Sequence, residues 1–119
     1  MTIQQSKHKS SQIDFGFINN FIAEGKYREA LTALDTLTQT HPDDANLYLI
    51  GGNCYGAMGH FEQAILCYQE AIKIKPDFAN AHSNLGVYLQ ERNDIDEAIL
   101  SYKRAIKLKG RKYKAYRFS

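Results

Sequence analysis

The stretch ANLYLIGGNCYGAMGHFEQAILCYQEAIKIKPDF, residues 45–78, holds two apolar patterns of helical period, separated by a glycine and closed by a proline. Asp43 or Asp44 supplies a side-chain oxygen to cap a helix that begins near Ala45. That helix runs to about Ala57, where Gly59 offers the left-handed backbone that stops it. A second helix, about Phe61 to Lys75, sets Ala64, Ile65, Tyr68, Ala71 and Ile72 on one side. Pro76 ends it, because proline restricts the residue before it and has no N–H to donate. The stretch therefore reads as a helical hairpin.

The same hairpin recurs on both sides of it. Pro42 and Pro76, the two prolines of the chain, lie 34 residues apart. Ala30, Ala64 and Ala98 keep that step, as do Tyr27, Phe61 and Ile95. Leu34, Tyr68 and Tyr102 form another column, and Phe21, Tyr55 and Leu89 a further one. Gly25 and Gly59 step onto Asn93, the residue that best tolerates a left-handed backbone after glycine. Three blocks follow without insertion, 11–44, 45–78 and 79–112, behind a flexible tail at 1–10. Small residues at block positions 8 and 20 (Gly52 and Gly86; Ala64 and Ala98) let paired helices approach closely. Large ones at positions 11, 17 and 24 fill the space between hairpins. A period of this length marks a solenoid, in which each repeat buries its face only against its neighbours.

The blocks resemble the tetratricopeptide repeat (TPR). The second matches that family's pattern as Tyr48-x2-Gly51-Gly52-x2-Tyr55, then Ala64-x3-Tyr68 and Pro76. The third gives His82-x2-Leu85-Gly86-x2-Leu89 and Ala98-x3-Tyr102, with Gly110 in place of the proline. The first departs most, with Asp14 at an aromatic position and Ile18 at a glycine position. Residues 81–86 also resemble repeats of O-linked N-acetylglucosamine transferase and similar bacterial proteins. The resemblance implies an all-α fold, a right-handed superhelical solenoid of three helix-turn-helix repeats. Tyr113-Lys114-Ala115-Tyr116 restarts the pattern, so 113–119 reads as the start of a fourth repeat or a short C-terminal capping helix. A piece of a longer protein is the expectation.

Composition narrows the function. The 119 residues are 44% hydrophobic and 24% charged, as in ordinary soluble domains. No apolar run approaches a membrane span, and the first residues lack the apolar core of a secretion signal, so a cytoplasmic location is expected. Cys54 and Cys67 stand 13 apart with no Cys-x-x-Cys pair, and no histidines show ligand spacing. Neither a metal, a cofactor nor an enzymatic activity is expected. Gly51-x4-Gly56 superficially suits a phosphate loop, but Ala57 and Met58 follow where Lys and Ser/Thr are required. The net charge of +2 conceals a separation. Residues 1–97 carry seven Lys/Arg against all thirteen Asp/Glu, and residues 98–119 carry eight Lys/Arg and no acid.

The resemblance implies a concave groove lined by the first helix of each repeat. Carried over by position, its residues are Phe15, Asn19, Ile22, Asn46, Leu49, Ile50, Asn53, Asn80, Asn84, Val87 and Lys114. Amides suit an extended peptide backbone and the apolar residues suit its side chains. The expected function is a non-catalytic scaffold that binds a protein or peptide, with no small-molecule substrate. Some family members clamp a terminal carboxylate with lysines, asparagines and an arginine. Here Asn53, Asn84 and Lys114 match that pattern, but Leu49 replaces one lysine and Phe118 the arginine, so no working clamp is expected. The alternatives are the TPR portion of a larger, glycosyltransferase-like enzyme, a homo-oligomer stacked end to end through its opposite charges, and a basic C-terminal surface for nucleic acid. Neither nucleic acid nor membrane is the expected partner.

Overall fold

A computed structural model describes residues 15–118, with side chains described over 15–111. The tail at 1–10 and Asp14 lie outside the described residues. Six helices follow one another: α1 Gly16–Ala23, α2 Tyr27–Thr40, α3 Ala45–Ala57, α4 Phe61–Ile74, α5 Ala79–Glu91 and α6 Ile95–Phe118. There is no strand among the described residues. The architecture is an all-α helical-repeat solenoid in which α1–α2, α3–α4 and α5–α6 are successive hairpins.

One termination device closes α1, α3 and α5. Gly25, Gly59 and Asn93 adopt φ of +75°, +81° and +70°. In each turn the next amide reaches back to the last helical carbonyls: Lys26 to Phe21, His60 to Tyr55, and Asp94 to Leu89, at 2.7, 2.9 and 2.8 Å. Helix starts are less uniform. The Asp44 side chain accepts from the Asn46 amide at 3.0 Å and caps α3, whereas Phe78 precedes α5 without a side-chain cap.

The repeat columns are the core. Ala30, Ala64 and Ala98 are buried where paired helices cross. Gly52 lies under the Tyr68 ring, and Gly86 holds the same relation to Tyr102 one repeat later. In the first repeat the pair is Ile18 over Leu34, both buried. The glycine–tyrosine pairs thus exchange volume for an isoleucine–leucine pair at the same two positions. Between hairpins, Leu85 and Leu89 of α5 close over Ile65 and Tyr68 of α4, and Leu47 and Cys54 of α3 cover Leu34 of α2. Each such side chain, fully buried, contributes about 1.5–3 kcal/mol. His82 fills an aromatic position and is buried, its Nε2 within 2.9 Å of the Pro76 carbonyl, so the ring is anchored to the preceding turn.

The sequence ends the third block at 112 and reads 113–119 as the start of a fourth repeat or a short C-terminal capping helix. Instead α6 continues without interruption from Ile95 to Phe118. The stop signals are missing there: no proline occupies the position of Pro42 and Pro76, and Gly110 remains within the helix without a positive φ.

Candidate functional site

The first helices of the hairpins, α1, α3 and α5, carry the positions assigned to the groove. Two of these residues meet directly. The Asn84 amide nitrogen on α5 donates to the Asn53 carbonyl oxygen on α3 at 3.0 Å. The same oxygen accepts from the Tyr68 hydroxyl at 2.5 Å. Both bonds engage the Asn53 oxygen, and the NH2 group is the donor end of the same side chain. Val87, one turn beyond Asn84 on α5, is 41% exposed and adds an apolar contact beside the amides.

The other predicted residues are distributed differently. Phe15, Ile22 and Ile50 are half-buried and pack on the core of the first repeat. Leu49 packs between α3 and the core of the later repeats. Asn19 is exposed on α1 and makes no bond to the Asn53–Asn84 pair. Asn46 and Asn80 sit at helix starts, where each lines a cleft at an inter-repeat turn. The first cleft is about 640 Å³, between Pro42, Asp43, Asp44 and Lys75. The second is about 620 Å³, between Lys75, Asp77, Lys109 and Arg111. Lys114 lies in the part of α6 whose side chains are outside the described residues.

Sequence reasoning missed Tyr68 as part of this face, because its column already assigned it to packing. Its ring does pack, stacked on Tyr88 at 5.9 Å and 14°, and its hydroxyl extends past the core edge to Asn53. Burial pushes the Tyr68 phenol above its ordinary range, so the hydroxyl remains a donor. Tyr102 repeats the device in part, its hydroxyl donating to Gln90 at 3.1 Å. Away from the face, Arg92 bridges Glu62 of the preceding repeat at 2.8 Å and Asp94 at 2.6 Å.

Burial raises the Cys54 thiol and pushes Cys67 up to about 11, with Asp35 adding to the latter, so both are poor nucleophiles at neutral pH. Gly51 to Gly56, the stretch spaced like a phosphate loop, is interior to α3. Among the described residues no group of three or more His, Cys, Asp or Glu gathers to hold a metal, and no helix is long and apolar enough to cross a membrane.

Stacked hairpins with an open amide-bearing face define a helical-repeat module. The family described as "TPR repeat" matches residues 52–91, and that described as "Tetratricopeptide repeat" matches residues 79–111. The chain belongs to the tetratricopeptide repeat family. Solved structures agree with the fold. A crystal structure of MamA is 27% identical with a TM-score of 0.78, over 82% of this chain and 57% of that one. MamA 41-end from Desulfovibrio magneticus RS-1 is 24% identical with a TM-score of 0.70, over 75% and 50%. The second TPR of Spaghetti (RPAP3), bound to the HSP90 peptide SRMEEVD, is 20% identical with a TM-score of 0.78, over 91% and 99%. The chain thus spans little more than half the length of these MamA chains. No curated protein matches it by sequence.

Proposed function

We infer that this chain is a non-catalytic scaffold that holds an extended segment of a partner protein against the α3–α5 face. The observation that carries the reading is the Asn53 oxygen, saturated by Tyr68 and Asn84. An asparagine held by two protein donors presents its NH2 group without the ordering cost a free side chain would meet on binding. Peptide carbonyls are the natural acceptors for it, and Val87 supplies the adjoining apolar contact. The module acts by itself or as the repeat portion of a larger enzyme, where it would position a substrate protein. Its two free thiols suit a reducing compartment such as the cytoplasm.

The test is selection of binders from a random seven-residue peptide array, then titration by fluorescence anisotropy. Asn53→Ala with Asn84→Ala should weaken the selected peptides about tenfold or more, and Tyr68→Phe should weaken them less, with the fold intact by circular dichroism. Affinity that ignores the asparagine pair but collapses with salt would instead assign binding to the basic end of α6. SRMEEVD is a second probe. With Leu49 at a clamp lysine position, it should bind more weakly than the selected peptides.

A further inference from the structure

Helix α6 carries a stripe that has a partner everywhere else in the molecule. Ile95, Ile99, Tyr102 and Ile106 recur at i, i+4, i+7 and i+11 and so share one face. Each lies 34 residues after Phe61, Ile65, Tyr68 and Ile72 of α4, the face that α5 covers. Covered, Ile65 is 2% exposed; uncovered, Ile99 is 45% and Ile106 is 70% exposed. Among the described residues the mating surface is also exposed at the other end. Phe17 of α1 occupies the position of Leu85 of α5, yet Phe17 is 50% exposed and Leu85 is buried. One face of each kind is therefore left open, and these are the two surfaces that meet at both internal hairpin boundaries.

We propose that a second copy of this chain seats its α1 on α6, continuing the repeat register from one molecule into the next. Charge agrees with this occupant. Residues 15–78 carry four Lys/Arg against eight Asp/Glu, whereas residues 98–111 carry five Lys/Arg and no acid, so two copies attract head to tail at long range, although Glu24 is the one acid of the head beside α1 and Asp96 and Glu97 open α6. The surfaces differ, so the contact is heterologous and propagates into rings or filaments rather than closing as a two-fold dimer. The register also identifies a weak point. Arg92 of α5 pairs with Glu62 of α4 at 2.8 Å across the internal boundary. At the same two positions between copies, Glu24 would face Asp96, although Lys26 holds Glu24 at 3.1 Å.

Sedimentation velocity on the 119-residue chain at low salt, across concentration, tests this. The expected result is a mass that grows beyond the 13.6 kDa monomer. Phe17→Glu and Ile99→Glu, both at exposed positions, should each abolish growth while keeping the helical spectrum. Mixed together they should give a one-to-one dimer and nothing larger, because only one productive contact survives. Glu24→Arg, which restores the arginine–acid pairing, should tighten association several-fold. A wild type that stays monomeric at every concentration overturns the proposal and leaves the stripe to another protein's helix. Association that survives Phe17→Glu and is lost only with Ile99→Glu also overturns it, in favour of α6 meeting α6.

Discussion

Two adjacent glycines in α3 should respond oppositely to the same substitution. A methyl on Gly52 would lie 2.6 Å from Tyr68 Cε1, 2.8 Å from Cζ and 2.9 Å from Cδ1. Carbon atoms rest at about 3.5–4.0 Å, so the ring must retreat by roughly 1 Å. It has nowhere to go, being stacked on Tyr88 behind and tied through its hydroxyl to Asn53. A methyl on Gly51 would lie 3.7 Å from Cys67 Sγ, an ordinary contact. Both positions are interior to the helix, so each alanine gains about 0.8–1 kcal/mol of helix propensity. Overpacking costs about 1–3 kcal/mol and applies only at Gly52. Gly51→Ala should therefore stabilise by up to about 1 kcal/mol, and Gly52→Ala should fall about 2 kcal/mol below it. Urea melts followed by circular dichroism measure the gap directly, the slope remaining constant. The first repeat suggests the rescue, since Ile18 and Leu34 share the same space. In a Tyr68→Leu background the penalty of Gly52→Ala should vanish, a coupling that a double-mutant cycle resolves. Equal stabilities for the two single alanines, or a penalty that persists unchanged in the Tyr68→Leu background, would refute the packing argument.

Alkaline pH should loosen the fold through Cys67. Its folded value of about 11 lies above its ordinary value of 9.0 because burial favours the neutral thiol. The stability this contributes is whole below pH 9 and is lost as pH rises through 11. The loss is about 1 kcal/mol once its solvent contact is discounted, and melts of Cys67→Ala against wild type across that window should show the variant losing less. Asn93, at φ +70°, should lose about 1 kcal/mol on replacement by alanine and gain stability on replacement by glycine, as thermal melts of the two variants would show.

The fold was legible because its signals are local and repeated. Gly25, Gly59 and Asn93 each stop a helix by their own backbone preference, and the 34-residue step reports three times that the same hairpin has formed. Only the end of α6 departed from that reading, running on through Gly110 to Phe118 where a fourth repeat or a separate capping helix was expected. A glycine stops a helix by entering a left-handed conformation, which it is free to do and not compelled to do. Proline leaves no such choice. The face was legible only in part. Asn53 and Asn84 follow from position, but the hydroxyl that orients Asn53 belongs to a residue whose column describes the core. Nor did position distinguish Asn80, at a helix start and an edge cleft, from Asn84 one turn later, since which amide reaches a neighbour depends on how adjacent hairpins are rotated.

That dual use of Tyr68 couples the two halves of the molecule. Its ring lies on Gly52 within its own hairpin, stacks on Tyr88 of the next, and carries the hydroxyl that orients Asn53. Any change that tilts the α4–α5 boundary therefore moves the Asn53 NH2 group as well. Conversely, a ligand that holds Asn53 and Asn84 together draws α3 and α5 into their bound spacing and loads the same ring. Binding on the α3–α5 face should accordingly raise the unfolding midpoint of the second and third hairpins together. The Ile18–Leu34 pair of the first hairpin has no hydroxyl reaching the face and should feel the ligand only through its contacts with α3.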